Sequence, residues 1–187
     1  LIGGAGNDVY EVTDAGDVVI EGVGGGTDSV WTYLSSNTMG ANIESMVYGG
    51  TGNFTAVGNQ LDNVIVAGAG NDILIGGVGA DTLIGGAGND VYEVTDAGDV
   101  VIEGVGGGTD SVWTYLDSYT LGANIEGLVY GGTGNFTAVG NTLNNVFVGG
   151  IGNDTFVFGA GFGNDQIIGF DTNPIGGQDL LNISALN

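Results

Sequence analysis

Three consecutive nine-residue blocks fill residues 67–93: AGAGNDILI (67–75), GGVGADTLI (76–84) and GGAGNDVYE (85–93). Each block has Gly at its first, second and fourth places, except that Ala67 stands at one first place. An Asp occupies the sixth place and a large apolar residue the eighth. A unit of one turn and one short strand cannot bury its own apolar side chain, so successive units must coil and stack.

The nine-residue frame continues through most of the chain on both sides of these blocks. Residues 3–11 form another complete block, and weaker blocks keep an apolar eighth place between clusters of Gly, Asn and Asp. Such clusters around β-branched and aromatic residues predict very short strands separated by tight turns. The expected interior residues are Tyr10, Val19, Val30, Val47, Ala56, Ile65, Leu74, Leu83, Tyr92, Val101, Val112, Leu121, Val129, Ala138, Phe147 and Phe156.

A longer repeat contains this frame. Residues 1–34 recur without change as residues 83–116, and the likeness continues with substitutions. We expect one continuous solenoid, with a first long repeat at 1–82, a second at 83–164 and a divergent C-terminal capping segment at 165–187. In that segment Leu180, Leu181, Ile183 and Leu186 would cover the last coil. The chain begins at Leu1 within a block, so we expect it to be part of a longer protein.

These periods predict an all-β fold, a right-handed parallel β-roll or β-helix solenoid. Two nine-residue units make one coil with two short strands, and we expect about nine coils stacked at the ~4.8 Å spacing of parallel strands. The apolar places would then line the interior, while the loops of alternate blocks would lie directly above one another.

The charge of the chain is entirely acidic. It contains 22 Asp plus Glu and no Lys, Arg or His, which gives a formal net charge of −22. Phosphate backbones are bound through Lys and Arg, so a nucleic-acid partner is excluded, and anionic membrane surfaces are disfavoured. No apolar run approaches the ~20 residues that cross a bilayer, so no membrane insertion is expected. An apolar content of 42% is too high for an acidic disordered tail.

Stacked loops of this composition offer only oxygen ligands. Each gap between loops combines carboxylates with turn carbonyls, a set that suits a hard cation and favours Ca²⁺ over Mg²⁺. Softer metals are disfavoured because the chain has no Cys and no His. The alternative is that the Asp side chains only cap their own turns. Recurrence of complete blocks in one register makes that alternative the weaker one.

The blocks fit the G-G-x-G-x-D-x-U-x pattern, by which the chain resembles the RTX (repeats-in-toxin) family of hemolysin-type calcium-binding repeats. The resemblance implies a calcium-binding module that binds several Ca²⁺ ions through sixth-place Asp carboxylates and glycine carbonyls. The Asp residues of complete blocks are Asp8, Asp72, Asp81, Asp90 and Asp154, and the expected half-site partners are Asp17, Asp28, Asp99, Asp110 and Asp165. The glycines carried over are Gly4, Gly6, Gly68, Gly70, Gly77, Gly79, Gly86, Gly88, Gly150, Gly152 and Gly163.

Four degenerate loops carry other expectations. Phe54 and Phe136 replace the sixth-place Asp, so their loops should be metal-free and held by packing. Asn63 and Asn145 could each supply one neutral oxygen or stack as an amide ladder between coils, and we favour the ladder.

Catalysis finds no support in the composition. Without His, Cys, Lys or Arg the chain has no triad and no phosphate clamp. Paired carboxylates can cleave glycosides, but here they recur periodically, as ligands do. We therefore expect a non-enzymatic calcium-dependent folding module of a secreted or cell-surface protein, and the resemblance implies type I secretion.

Two other functions remain open from the sequence. The chain could be a glycan-binding rod, or the non-catalytic module of a polysaccharide-modifying enzyme, that uses an aromatic stripe. The residues of this stripe are Trp31, Tyr33, Tyr48, Trp113, Tyr115 and Tyr130. Packing of these rings against the rod is the simpler interpretation. The chain could also join other copies of itself in a calcium-dependent surface layer or filament.

Overall fold

The computed structural model describes residues 1–172 and 177–186. The part of the expected capping segment at 173–176 and 187 lies outside the described residues. The described chain is all-β apart from a short 3₁₀ helix at Ser184–Leu186. It forms two compact units, Leu1–Gly108 and Thr109–Asn187. No helix in the described ranges has the length and apolarity needed to span a bilayer.

The first unit contains ten short strands whose pairings with one another are parallel. They are β1 (Val9–Val12), β2 (Ser29–Thr32), β3 (Ser36–Thr38), β4 (Ser45–Tyr48), β5 (Thr55–Val57), β6 (Val64–Ala69), β7 (Ile73–Ile75), β8 (Thr82–Ala87), β9 (Val91–Val94) and β10 (Val100–Ile102). One sheet has the order β1-β2-β4-β6-β8-β10, and in the other β3, β5, β7 and β9 are neighbours in that order. From β3 onward the chain alternates between the two sheets, as a roll requires.

The second unit contains eight strands with the same alternation. They are β11 (Ser111–Thr114), β12 (Ser118–Thr120), β13 (Gly127–Tyr130), β14 (Thr137–Val139), β15 (Val146–Val148), β16 (Thr155–Val157), β17 (Gln166–Ile168) and β18 (Leu180–Asn182). Strands β11, β13, β15 and β17 form one parallel row, and β12, β14, β16 and β18 form the other.

Strand register between Ala56 and Tyr92 confirms the coil of two nine-residue units. Ala56 pairs with Leu74, and Leu74 with Tyr92, in one sheet. Ile65 pairs with Leu83 in the other. The described strands make about 8 turns, close to the nine that we expected.

The interior of each unit is a stack of these eighth-place side chains. Most of the expected core is buried: Tyr10, Val30, Ala56, Ile65, Leu74, Leu83, Tyr92, Val112, Leu121, Ala138, Phe147 and Phe156. Val19 and Val101 are only half-buried. Burial of one face of most strands therefore holds the coils together, whereas β3 and strands near the unit ends such as β10 and β18 have no fully buried residue.

Two predicted core residues are wrong by one position. Met46 is fully buried and Val47 is half-buried, and the repeat shows the same relation between Leu128 and Val129. Val30 pairs with Met46, and Met46 pairs with Ile65, so this turn does not keep the 18-residue step. A slip of one residue exchanges the two faces of a strand, which explains the error.

The end of the chain adds a strand. Strand β18 pairs in parallel with β16, and Leu181 lies opposite Phe156. Leu180, Leu181 and Ile183 are more than half exposed, and Leu186 is 41% exposed. Within the described residues, this segment extends the sheet where we expected apolar cover.

Candidate metal centre

The sixth-place residues of stacked loops are joined by one repeated hydrogen bond. The backbone N–H of Asp72 donates to Oδ1 of Asp90 at 2.8 Å, and that of Asp81 donates to Oδ1 of Asp99 at 3.0 Å. The same bond, at 2.8–3.0 Å, joins Asp8 to Asp28, Phe54 to Asp72, Asn63 to Asp81, Phe136 to Asp154, Asn145 to Asp165 and Asp154 to Asp179. One carboxylate oxygen of each acceptor thus fixes the preceding turn.

The Oδ2 atoms of five of these acceptors, and of Asp8, have no such role. Within the described residues, buried Oδ2 atoms without a hydrogen-bond partner belong to Asp8, Asp28, Asp72, Asp81, Asp154 and Asp165. A buried charged oxygen is costly unless a donor or a cation meets it. The chain has no Lys, Arg or His to supply that charge. The sites therefore fit a cation taken from solution.

Burial alters the acidity of these carboxyl groups. It raises the pKa of Asp72 to about 6, against a smaller lowering by the Phe54 N–H and a further rise caused by the charge of Asp90. Burial likewise raises the pKa of Asp81, Asp90, Asp154 and Asp165. The ionised form is thus disfavoured in the absence of a cation, and a bound cation would favour it.

Loop glycines let the backbones of successive turns approach each other closely. Gly86 has φ +109°, and a Cβ on it would overlap the carbonyl oxygen of Gly68. Gly88 has φ +126°, and a Cβ there would overlap the carbonyl oxygen of Gly70. Both the positive φ and the close approach require glycine. The carbonyls of one loop, together with the Asp72 and Asp90 carboxylates, supply the oxygen donors that Ca²⁺ prefers.

The other glycines that we carried over from the family pattern have the same backbone conformation, with one exception. Positive φ is found at Gly6, Gly68, Gly70, Gly77, Gly79, Gly150, Gly152 and Gly163. Gly4 lacks it, and a Cβ on Gly4 would meet no atom within 4 Å.

Asp17 and Asp99 act differently from the Asp residues of complete blocks. Oδ2 of Asp17 accepts from the N–H groups of Thr13 and Asp14, both at 3.1 Å. Oδ2 of Asp99 accepts in the same way from the N–H groups of residues 95 and 96, while its Oδ1 accepts from the N–H of Asp81. The capping role that we considered as the alternative therefore describes these two residues.

Glu44 and Glu126 accept the same kind of backbone hydrogen bond as the sixth-place Asp residues, and the sequence reasoning missed them. The N–H of Asp28 donates to Oε2 of Glu44 at 2.7 Å, and the N–H of Asp110 donates to Oε2 of Glu126 at 2.9 Å. Each Glu thus lies one position before the sixth place of a uniform nine-residue frame, which would fall on Ser45 and Gly127. The long repeat carries a signal for this, since Glu is kept at 44 and 126 whereas Ser45 becomes Gly127.

Glu21 was missed as well, because it falls in a two-residue insertion between nine-residue blocks. It lies with Asp8 and Asp28 so that one carboxylate oxygen from each is within 4.8 Å of the others. The phenol of Tyr10 donates to Oε2 of Glu21. Asp28 is fully buried, and Glu21 is 8% exposed.

The amide ladder that we expected at Asn63 and Asn145 is wrong in that form. Oδ1 of Asn63 accepts from the N–H of Asn59 in its own turn, and its Nδ2 donates to the carbonyl of Ile43. Asn145 repeats the pattern. A ladder of another kind occurs at the fifth place, where the N–H of each turn donates to Oδ1 of the preceding turn's Asn. The pairs are Asn71 to Asn53, Asn89 to Asn71 and Asn153 to Asn135.

The aromatic replacements of Asp are held by packing, as expected. The Phe54 ring stacks on Tyr48, and the Phe136 ring stacks on Tyr130. Both Phe side chains are 1% exposed.

Comparison with known families agrees with this geometry. Residues 57–92 and 130–162 match the family model of the RTX calcium-binding nonapeptide repeat, in four copies. Comparisons with curated proteins and with solved structures gave no significant match. The matched residues include Asp72, Asp81, Asp90 and Asp154, whereas Asp8, Glu21 and Asp28 lie outside them.

Proposed function

Since the chain carries RTX calcium-binding nonapeptide repeats, we propose that it is a structural module that folds when Ca²⁺ enters its loops. The observation that carries this proposal is the set of buried Oδ2 atoms without a partner, in a chain that has no cationic side chain. Ions bound between turns would join successive coils through carboxylate and carbonyl oxygens.

Calcium then controls the folding equilibrium by mass action. A ligand that binds only the folded chain raises its free energy of unfolding by RT ln(1 + [L]/Kd). This is about 2.7 kcal/mol per site when the ligand concentration is a hundred times Kd. Without ions, a net charge of −22 opposes compaction through self-repulsion. The calcium-free chain should therefore be largely unfolded.

This switch suits a protein that is exported unfolded and folds outside the cell. RTX repeats are typical of secreted proteins, and the family resemblance implies a type I export system. A chain that stays unfolded where calcium is scarce would pass through such a system and coil where calcium is abundant. We place the module in a secreted or cell-surface protein.

The direct test is far-ultraviolet circular dichroism of the purified chain with chelator, with Ca²⁺ and with Mg²⁺. Calcium should convert a spectrum of mostly unordered chain into one rich in β-structure, and Mg²⁺ at the same concentration should have a much smaller effect. A β-rich spectrum that chelation leaves unchanged would remove the proposal.

Exposed aromatic side chains support glycan binding as a second candidate function. On β2, Val30 and Thr32 are buried while Trp31 is 45% exposed, and Tyr33 just beyond the strand is 50% exposed. Trp113 and Tyr115 have similar exposure in the second unit. Such rings can stack on sugars. Glycan-array binding in calcium that is lost in Trp31→Ala but kept in Trp31→Phe would support this function, and an array without hits would exclude it.

A further inference from the structure

The first unit contains a group of three carboxylates that the nonapeptide pattern does not describe. Asp8 belongs to a complete block and Asp28 to a weaker one, but Glu21 comes from the insertion between blocks. One oxygen from each lies within 4.8 Å of the other two. Three negative charges at this separation repel one another strongly unless a cation lies among them.

A second, independent observation points to a ligand. Asp28 is fully buried, and its Oδ1 accepts the Asp8 N–H while its Oδ2 is buried without a partner. Oδ2 of Asp8 is likewise buried without a partner. The same buried carboxylates therefore lack a donor at the point where a third carboxylate approaches them.

Two glycines leave the space that such an ion needs. A Cβ on Gly3 would overlap the Tyr10 phenol oxygen and the Glu21 carboxylate and would lie 2.7 Å from Oδ2 of Asp8. A Cβ on Gly25 would overlap the same Glu21 carboxylate and would lie 2.9 Å from the carbonyl oxygen of Gly4. The space beside these glycines is therefore bordered by carboxylates, by the Tyr10 phenol oxygen and by one backbone carbonyl.

The Glu21 side chain is fixed in position. Its Oε1 accepts the N–H of Gly22 at 2.8 Å, and its Oε2 accepts the phenol of Tyr10. A ligand that is held before the ion arrives loses little conformational freedom on binding. Glu21 is thus a preorganised ligand.

We propose that Asp8, Glu21 and Asp28 form a three-carboxylate cation site that binds Ca²⁺ more tightly than the nonapeptide loop sites and also accepts trivalent lanthanide ions. This inference rests on the proposed function, because it assumes that the module binds calcium. The loop pair of Asp72 and Asp90 offers two carboxylates, and affinity for Ca²⁺ rises with the charge of the ligand set and the rigidity of the site. The site fills first as calcium rises, and its ion ties the insertion to the first loop.

The test is a calcium titration of the full chain in competition with a chromophoric chelator. Glu103 holds the Tyr92 phenol much as Glu21 holds that of Tyr10, so the variants are made in a Glu103→Gln background. Glu21→Gln keeps an oxygen for Tyr10 but removes one charge. It should raise the Kd of the tightest Ca²⁺-binding step by roughly tenfold or more. Glu11→Gln removes the same charge from an exposed strand position and should leave that step unchanged.

Terbium luminescence in the same background gives a second readout that does not require Glu21→Gln to fold. Tyr10 contacts Glu21, so tyrosine excitation should sensitise emission from the first equivalent of Tb³⁺. Tyr10→Phe should abolish most of that emission while circular dichroism shows the calcium-bound fold intact.

The outcomes separate the inference from the function on which it rests. A tightest step unaffected by Glu21→Gln, or first-equivalent emission unaffected by Tyr10→Phe, would overturn the three-carboxylate site while leaving the loop sites. If Glu21→Gln fails to fold in saturating calcium, the Tyr10→Phe emission alone decides. A starting chain that binds no calcium at all would overturn the proposed function itself.

Discussion

The rings of Tyr48 and Phe54 lie parallel, with their centroids 4.4 Å apart and an interplanar angle of 5°. Phe54 occupies the sixth place of its loop, and the stacked loop of the next turn has Asp72 at that place. The N–H of Phe54 donates to Oδ1 of Asp72 at 2.8 Å. The turn therefore keeps the backbone hydrogen bond between sixth-place residues, while an aromatic pair replaces the carboxylate.

Replacing Phe54 by Ala should lower the free energy of unfolding in saturating calcium by about 3–5 kcal/mol, because it leaves a cavity beside Tyr48. Urea denaturation measures this change. Val23→Ala is the control, since Val23 is 94% exposed and should have little effect. The number of bound ions should not change in either variant, and loss of an ion in Phe54→Ala would contradict a packing role.

Asp72→Asn should raise the calcium concentration needed for folding by roughly tenfold. The amide keeps an oxygen for the Phe54 N–H but replaces the unpartnered Oδ2 with a group that cannot bind a cation. Calcium titration followed by circular dichroism measures the midpoint. Asp14→Asn removes the same charge at an exposed turn position and serves as control. Equal midpoints for the two variants would show that Asp72 is no ligand.

Protons should partly replace calcium in the ion-free chain. Burial raises the pKa of Asp72 from 3.8 to about 6 in the fold without ions, so protonation favours that fold. This contribution is fully present below the unfolded value of 3.8 and is lost as the pH rises through about 6. Dialysed, calcium-free chain should therefore gain β-structure between pH 7 and pH 4, and calcium should matter most above pH 6.

Circular dichroism across this range measures the effect, with sedimentation at each pH to identify soluble monomer. The sedimentation control is needed because the pI of the sequence is about 4.1. Monomer that remains equally unfolded at both ends of the range would contradict the prediction.

The corrected register of β4 gives a matched pair of variants. Met46→Ala should lower the free energy of unfolding by about 2–5 kcal/mol, because Met46 is fully buried. Val47→Ala should cost less, since Val47 is only half-buried. Thermal or urea unfolding in saturating calcium compares them. A larger loss for Val47→Ala would restore the register that the uniform nine-residue frame predicts.

The sequence predicted the fold wherever complete blocks set the spacing. Leu74, Leu83 and Tyr92 were placed correctly because glycines and Asp fix each loop at nine residues. Around Met46 the glycine frame is weak, and the strand sequence SMVY offers neighbouring apolar residues on both faces. Periodicity alone cannot choose between such residues.

The candidate site was predictable only in part. The sixth-place Asp residues were identified from spacing. Spacing does not show that Oδ1 accepts a backbone N–H while Oδ2 is left for a cation, because these roles depend on how successive turns stack. Glu21 could not be found from the pattern, because an insertion has no place in a nine-residue frame. Its proximity to Asp8 and Asp28 arises from the path of the chain between β1 and β2.

The sixth-place hydrogen bond points in one direction, since each turn relies on the turn that follows for its acceptor. Asp179 provides that acceptor for the last complete block, at Asp154. The roll can therefore be shortened by excising a whole internal turn of 18 residues, which brings matching donors and acceptors back together. Trimming it from the C-terminal side so that Asp179 is lost would instead leave the buried N–H of Asp154 without an acceptor. The two ends of this series of sixth-place hydrogen bonds are therefore not interchangeable for protein engineering.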